Sequence, residues 1–375
     1  MYQKNRAWVE IDLENLKNNI RQFRKILPPD CELMPAVKAN AYGHGAVPVS
    51  LELQKNKVEN FCVASAEEGI ELREAGIKGQ ILILGYTHPR LFPELCAYKL
   101  TQTVVDEKYA RVLDQSGKKL SVHVGIDTGM HRLGERSTDT EKILNMWNLK
   151  NVRITGVYSH LCVSDGSTEE ERAFTQRQIK RYDELIRTLH YAGITGFQTH
   201  LQGSYGVMNY SDLHYDLARV GIALYGTLSS PEDVVRSRIH LEPVLSLKAR
   251  IECIHLLHSG ERVGYGLTYT AQKEMKIAVV SIGYADGIPR QLSNKGYALV
   301  NGQKAALIGR VCMDQLFLDV TNISPINPGD EVVFIGESGE KKISADRIAN
   351  WAGTISNEFL SRLGARLPRV TILKT

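Results

Sequence analysis

The residues best able to do chemistry stand where apolar runs stop. Met34-Pro35-Ala36-Val37 ends in Lys38-Ala39-Asn40-Ala41-Tyr42-Gly43-His44-Gly45. A lysine that closes an apolar run is partly desolvated, a setting in which its amine serves as a nucleophile toward a carbonyl. A second run, Asp216-Leu217-Ala218-Arg219-Val220-Gly221-Ile222, encloses Arg219. A fixed cation there needs an acceptor, for which an aromatic ring nitrogen or a buried carboxylate would serve. Gly221 and Ile222 offer backbone N–H groups to a phosphate, Ser204 adds a hydroxyl, and His160 is placed to stack on a planar ligand. Taken singly, each of these also reads as a structural residue. Together they make the lysine, phosphate cradle, ring-nitrogen partner and stacking group that pyridoxal phosphate requires.

Such residues need a scaffold that gathers strand ends. Eight short runs rich in β-branched residues fit: Cys31–Val37, Phe61–Ser65, Ile81–Gly85, Thr101–Val105, Leu120–Ile126, Val152–Ser159, Phe197–Leu201 and Asp216–Val220. Amphipathic segments separate most of them. Ala66–Ala75 is one, closed by Gly76, and Glu169–Tyr191 is the longest, with Tyr182, Leu185, Ile186 and Leu189 on one face. Alternation of this kind predicts an α/β fold with a parallel sheet. Eight strands close a (β/α)8 barrel, whose functional groups collect at the C-terminal strand ends. An open doubly wound sheet is the rival, but no G-x-G-x-x-G follows any of the strands. The barrel is expected over residues 1–237. From about Leu241 the texture changes to strands divided by Gly, Pro and Asn turns: Val244–Leu257, Lys276–Ile282, Tyr297–Val300, Ala305–Val311, Gln315–Val320 and Glu331–Ile335. A mostly β second domain is expected over 238–375, with Pro231–His240 as the junction. Ser344 and Ser356 are expected to cap two helices, the second ended by Gly364.

The composition narrows the class further. Of 375 residues, 46 are Lys or Arg and 42 Asp or Glu, so the net charge of +4 argues against nucleic acid or a membrane surface as a partner. No apolar run approaches the ~18–20 residues of a membrane span, and the first thirty residues hold no secretory segment, so a cytoplasmic location is expected. The six cysteines are scattered singly with no C-x-x-C, which argues against a disulfide framework and a metal site. A small-molecule substrate is the expected partner.

Ala36–Gly45 closely resembles the cofactor-attachment signature of the alanine racemases. The resemblance continues in order through Asp127-Thr128-Gly129-Met130-His131-Arg132-Leu133-Gly134, Arg219–Gly226, Gly264-Tyr265-Gly266, Ile282–Arg290, Gly309–Gln315 and Arg366–Arg369, covering essentially the whole chain. It implies a pyridoxal 5'-phosphate barrel followed by a β domain, and a head-to-tail homodimer whose sites are shared between subunits. It implies that Lys38 binds the cofactor as a Schiff base and is one catalytic base. Tyr265 of the partner subunit would be the other, because racemisation removes a proton from one face of the α-carbon and returns one to the opposite face. Arg132 is similar to the arginine that contacts the cofactor's phenolic oxygen. Arg219 would face the pyridine nitrogen and leave it an acceptor, weakening the electron sink and limiting transamination. Tyr42, Ser204, Gly221 and Ile222 match phosphate-binding positions. The backbone at Met313 matches the element that holds the substrate carboxylate, and Tyr284 and Arg310 match the access channel. Two other classes share the cofactor: a non-catalytic pyridoxal-phosphate binding protein, which lacks the second domain and the opposing tyrosine, and a decarboxylase, which places an acid at the ring nitrogen.

Three positions depart from the family pattern. Gly125 stands where a carbamylated lysine commonly orients the cofactor arginine, so an anion such as chloride or another carboxylate must serve Arg132. Gln202-Gly203-Ser204-Tyr205 replaces Ala-Asn-Ser-Ala. Asn357, in Gly353-Thr354-Ile355-Ser356-Asn357-Glu358, replaces a tyrosine that touches the phosphate and walls the substrate pocket. Asparagine opens space and adds hydrogen-bonding groups where a substrate hydroxyl would lie, the direction expected for accepting serine. The set is similar to the racemase domain of the membrane-bound serine/alanine racemases of vancomycin resistance, in which a transmembrane domain precedes the catalytic one. That resemblance implies a site on the cytoplasmic side.

Overall fold

Ile81, Leu82 and Ile83 are fully buried, consecutive residues of one strand, so both faces of that strand are covered. This is the condition of a parallel strand flanked by helices, and it explains why the strands of the first half read as continuous apolar runs rather than alternating ones. The computed structural model describes residues 4–372. Within it Asn60–Val63, Gln80–Ile83, Thr101–Val104, Leu120–Asp127, Val152–Tyr158 and Gln198–His200 pair in sequence order, all parallel. Leu217–Ala218 pairs parallel with Glu32–Leu33. The ring closes through Arg219 N–H donating to Gln202 O at 2.9 Å on one side and Cys62 N–H to Pro35 O at 2.9 Å on the other. The eight expected strands are present and form the (β/α)8 barrel.

The helix Glu169–Tyr191 begins at a capping box formed by Thr168 and Glu171. Tyr182, Leu185 and Leu189 are buried on its inner face with Ile186 packed beside them, as its periodicity requires. The same face fixes strand ends. Tyr182 Oη donates to Val157 O at 2.7 Å, and Gln178 Nε2 donates to His160 O at 3.0 Å.

The second domain is a nine-stranded sheet whose long strand Leu245–Leu257 also pairs with Glu331–Ser338, so the sheet curls on itself. Ala7–Asp12 belongs to this sheet, antiparallel to Leu245–Leu257 and parallel to Arg369–Ile372. It crosses the sequence division at 237, and the sequence reading contained no strand there. Glu10 disguised it: its carboxylate is buried, held by Lys248 at 3.0 Å and by Trp8 Nε1 at 3.0 Å. Ser344 occupies the position before Ala345–Ala352, but its hydroxyl makes no capping hydrogen bond. Ser356 does not cap the next helix. Ile355 takes that position, Ser356 is the first helical residue, and its hydroxyl turns inward to Leu228 O. That helix ends at Ser361, before Gly364. Among the described residues, no helix is long and apolar enough to cross a membrane.

One buried asparagine ties the barrel to the segment that leads into the second domain. Asn19 Nδ2 donates to Leu224 O at 3.0 Å and Glu242 O at 2.8 Å, and its Oδ1 accepts from Glu242 N–H at 2.8 Å. Asn19→Ala strands these groups away from water and should cost about 1–3 kcal/mol, read as a lower urea midpoint at unchanged m-value.

Candidate active site

Lys38 opens a turn with unusual backbone. Ala39, Asn40, Ala41 and Tyr42 all have φ between 51° and 54°, a left-handed run of four residues with Cβ atoms. Such a run costs energy at each step and persists only where the surroundings enforce it. Asn40 Oδ1 accepts from Ala46 N–H at 2.7 Å, and His44 Nδ1 lies 2.9 Å from Ala41 O and 3.0 Å from Tyr42 O. The second domain completes the clamp, since Arg369 Nε donates to Gly43 O at 3.1 Å.

Lys38 and Tyr42 line an open cleft of about 590 Å³ at the C-terminal strand ends, with Arg132, His160, Ser204, Arg219, Gly221, Ile222 and Asn357. Every barrel residue expected at the site is therefore brought to one place. The cradle expected for a phosphate lies just after the last strand. Ser204 Oγ accepts from Gly221 N–H at 3.0 Å and Ala223 N–H at 3.3 Å, so the Gly221 donor is shared with Ser204 rather than free as expected. A Cβ at Gly221 would lie 2.8 Å from Tyr42 Oη, so a side chain there would push the Tyr42 hydroxyl away.

Arg219 is 5% exposed and has no carboxylate partner among the described residues. Its Nη1 donates to His200 Nδ1 at 2.6 Å. Its Nη2 donates to Ser159 O at 2.6 Å, and more weakly to His160 Nδ1 and Leu201 O at 3.2 Å each. The guanidinium also lies 4.9 Å from the Tyr158 ring centre. Nε carries no protein acceptor among the described residues, which leaves it able to donate to a ligand atom. Burial, and then the Arg219 charge, push the His160 imidazole down to about 3, so it presents a neutral ring.

Arg132 is exposed at the cleft wall with no ion pair among the described residues. The neighbouring carboxylate, Asp127, is committed to its own turn through Gly129 N–H, His131 N–H and His131 Nδ1. Asn357 Oδ1 is buried and unpartnered. Tyr205, at one altered position, is held by Asp233 and accepts from Ser229 N–H at 2.7 Å. Sequence reasoning missed Asp165, Cys162 and Tyr158 on the cleft walls. Burial raises the Asp165 carboxyl above its ordinary range.

Tyr265, Tyr284 and Met313 do not line this cleft. They stand on the second domain, 71%, 41% and 52% exposed, an open face for residues of such size. Tyr284 N–H donates to Cys312 O at 2.9 Å and Ala285 N–H to Met313 O at 3.0 Å, which joins two of them. Asp286, fully buried, fixes this turn through Gly283 N–H and Arg6.

Residues 11–229 match the family described as alanine racemase, N-terminal domain, and 244–371 match alanine racemase, C-terminal domain. The chain is 42% identical over 370 residues to the alanine racemase of Carboxydothermus hydrogenoformans, covering 98% of this chain and 99% of that one. It is 39% identical over 363 residues to the serine/alanine racemase of Enterococcus gallinarum, covering 96% of this chain. The chain spans about half the length of this relative and of an amino-acid racemase of Enterococcus faecalis, 51% in each case. A crystal structure of alanine racemase from Bacillus anthracis with bound L-Ala-P superimposes with a TM-score of 0.91 at 31% identity, covering 98% of this chain and 95% of that one.

The buried imidazoles set the pH response of the fold. Burial lowers His44 to about 4 and His123 and His160 to about 3, below the ordinary value near 6.5. Their contribution is complete above pH ~6.5 and is lost as pH falls toward those values, because the unfolded chain binds protons that the folded one refuses. Each should add a slope of up to about 1.4 kcal/mol per pH unit. Urea unfolding at pH 7, 6 and 5 should show a steady loss, and a flat profile would contradict these assignments.

Proposed function

The chain belongs to the alanine racemase family, and from that premise we propose that it interconverts the L and D forms of alanine and serine with pyridoxal 5'-phosphate. The observation that carries this reading is the convergence in one cleft of Lys38, the Arg219 donor and the Ser204–Gly221 cradle, each matched to a different part of that cofactor. Tyr42, Ser204, Gly221 and Ile222 would hold its phosphate, Arg219 its ring nitrogen, Arg132 its phenolic oxygen, and His160 its ring face. When bound, it acidifies the proton on the α-carbon of an attached amino acid. Lys38 holds or delivers that proton on one face. Tyr265 of the partner subunit does so on the other, and the open surface around Tyr265 and Met313 supports a homodimer with shared sites. The backbone at Met313 would hold the substrate carboxylate, with Tyr284 lining the approach.

Asn357 supports the extension to serine. It lines the cleft, and its side-chain amide can both donate to and accept from a substrate hydroxymethyl group. The resemblance to a protein named serine/alanine racemase points the same way.

Racemisation of L-serine and L-alanine, measured side by side on purified protein, tests the reading directly. Lys38→Ala should abolish both the absorption of lysine-bound cofactor and turnover. Tyr265→Phe should keep the absorption and lose ~10²–10⁴-fold in rate. Mixing the two inactive variants under conditions of subunit exchange should restore activity, and no restoration would rule out a shared site.

Asn357→Tyr should move the serine-to-alanine ratio of kcat/KM toward alanine by several-fold, since one polar contact is worth ~1 kcal/mol. An unchanged or rising ratio would show that this residue does not set specificity.

A further inference from the structure

Arg219 Nη1 ends on an imidazole, and that imidazole ends on another. His200 Nδ1 lies 2.6 Å from Arg219 Nη1, and His200 Nε2 lies 2.8 Å from His123 Nδ1. His123 Nε2 lies 2.9 Å from Gln80 Nε2. Both histidines are fully buried in the barrel interior. A guanidinium only donates, which fixes every proton along the row. His200 Nδ1 must accept, so its proton sits on Nε2 and is donated to His123 Nδ1. His123 then carries its proton on Nε2, so the Gln80 amide, whose Nε2 is the atom placed 2.9 Å away, must be turned about to present Oε1 as the acceptor. The reverse polarity would set two donors against each other at Arg219.

The surroundings are built for this row. Tyr158 stacks on His200 with ring centres 4.8 Å apart and planes within 5°. A Cβ at Gly156 would lie 2.6 Å from the His123 ring, so that strand position admits only glycine. Burial, followed by the Arg219 charge, lowers both imidazoles, which keeps the row neutral.

We infer that His200 and His123, ended by Gln80, form a one-way hydrogen-bond relay that positions Arg219 as the charged donor facing the cleft. The two histidines are positioning residues, since neither lines the cleft. The inference rests on the proposed cofactor reading for its consequence, while the proton positions stand apart from it.

The test uses the full chain labelled with ¹⁵N-histidine, with and without pyridoxal phosphate, and signals assigned through His200→Phe and His123→Phe. At pH 7 both imidazoles should be neutral with the proton on Nε2, cofactor present or not. An Nδ1–H tautomer or an imidazolium at either position overturns the relay. Absorbance titration with pyridoxal phosphate gives the second readout. His200→Phe should weaken cofactor binding about ten- to a hundredfold, the range for one charge-assisted hydrogen bond. His200→Asn, whose Oδ1 can stand in for Nδ1, should recover most of that loss. A merely structural role would not separate these two variants. Unaltered affinity in His200→Phe overturns the positioning role; if that variant does not fold, unaltered affinity in His123→Phe, which removes the acceptor of His200 Nε2–H, does so instead. Failure of the unaltered chain to bind pyridoxal phosphate would sink the cofactor reading, with the tautomers measured without it still deciding the relay.

Discussion

Closure of the barrel between its first and last strands is the constraint on which the site depends. Ala36 N–H donates to Val220 O at 2.8 Å, one residue from Arg219 and two from Lys38. This single pairing brings together a lysine and an arginine about 180 positions apart in the chain, and it sets the turn after Lys38 against the cradle after Arg219. Tyr42 crosses the seam, its hydroxyl filling the space a side chain at Gly221 would need. The left-handed run behind Lys38 is held from both sides, by His44 and Asn40 within the barrel and by Arg369 from the second domain. The second domain is thus part of the support of the site, even though its sheet lies elsewhere.

Electrostatics inside the barrel follow from the absence of a carboxylate beside Arg219 among the described residues. A buried cation without an anion must spread its charge over dipoles, and here these are two imidazoles and two carbonyls. Neutral acceptors leave the positive charge uncompensated toward the cleft, so the site favours an acceptor atom there. Neutral rings at His160, His200 and His123 follow from burial and from that same charge.

The barrel cleft and the second domain carry separate sets of the residues singled out in the sequence. The cleft offers the lysine, the cations and the phosphate cradle. The second domain offers exposed Tyr265, Tyr284 and Met313, held in fixed turns by Asp286 and by backbone hydrogen bonds.

The eight strand runs, the change to β texture near Leu241 and the cleft residues from Lys38 to Asn357 were legible in the sequence, because local apolar pattern and motif spacing are properties of neighbouring residues. Three features were not. Ala7–Asp12 is a strand only because Leu245–Leu257 and Arg369–Ile372 lie on either side of it, and its buried Glu10 looks polar until Lys248 is beside it. The Ser356 hydroxyl looked like a cap and instead meets Leu228 O, over a hundred residues away. His123 and His200 were two polar residues in apolar strands, with nothing in either run to mark them. Tertiary structure decided that they touch, and the proton rules of Arg219 then decided how, because a hydrogen-bond partner is a matter of position in space that no local pattern records.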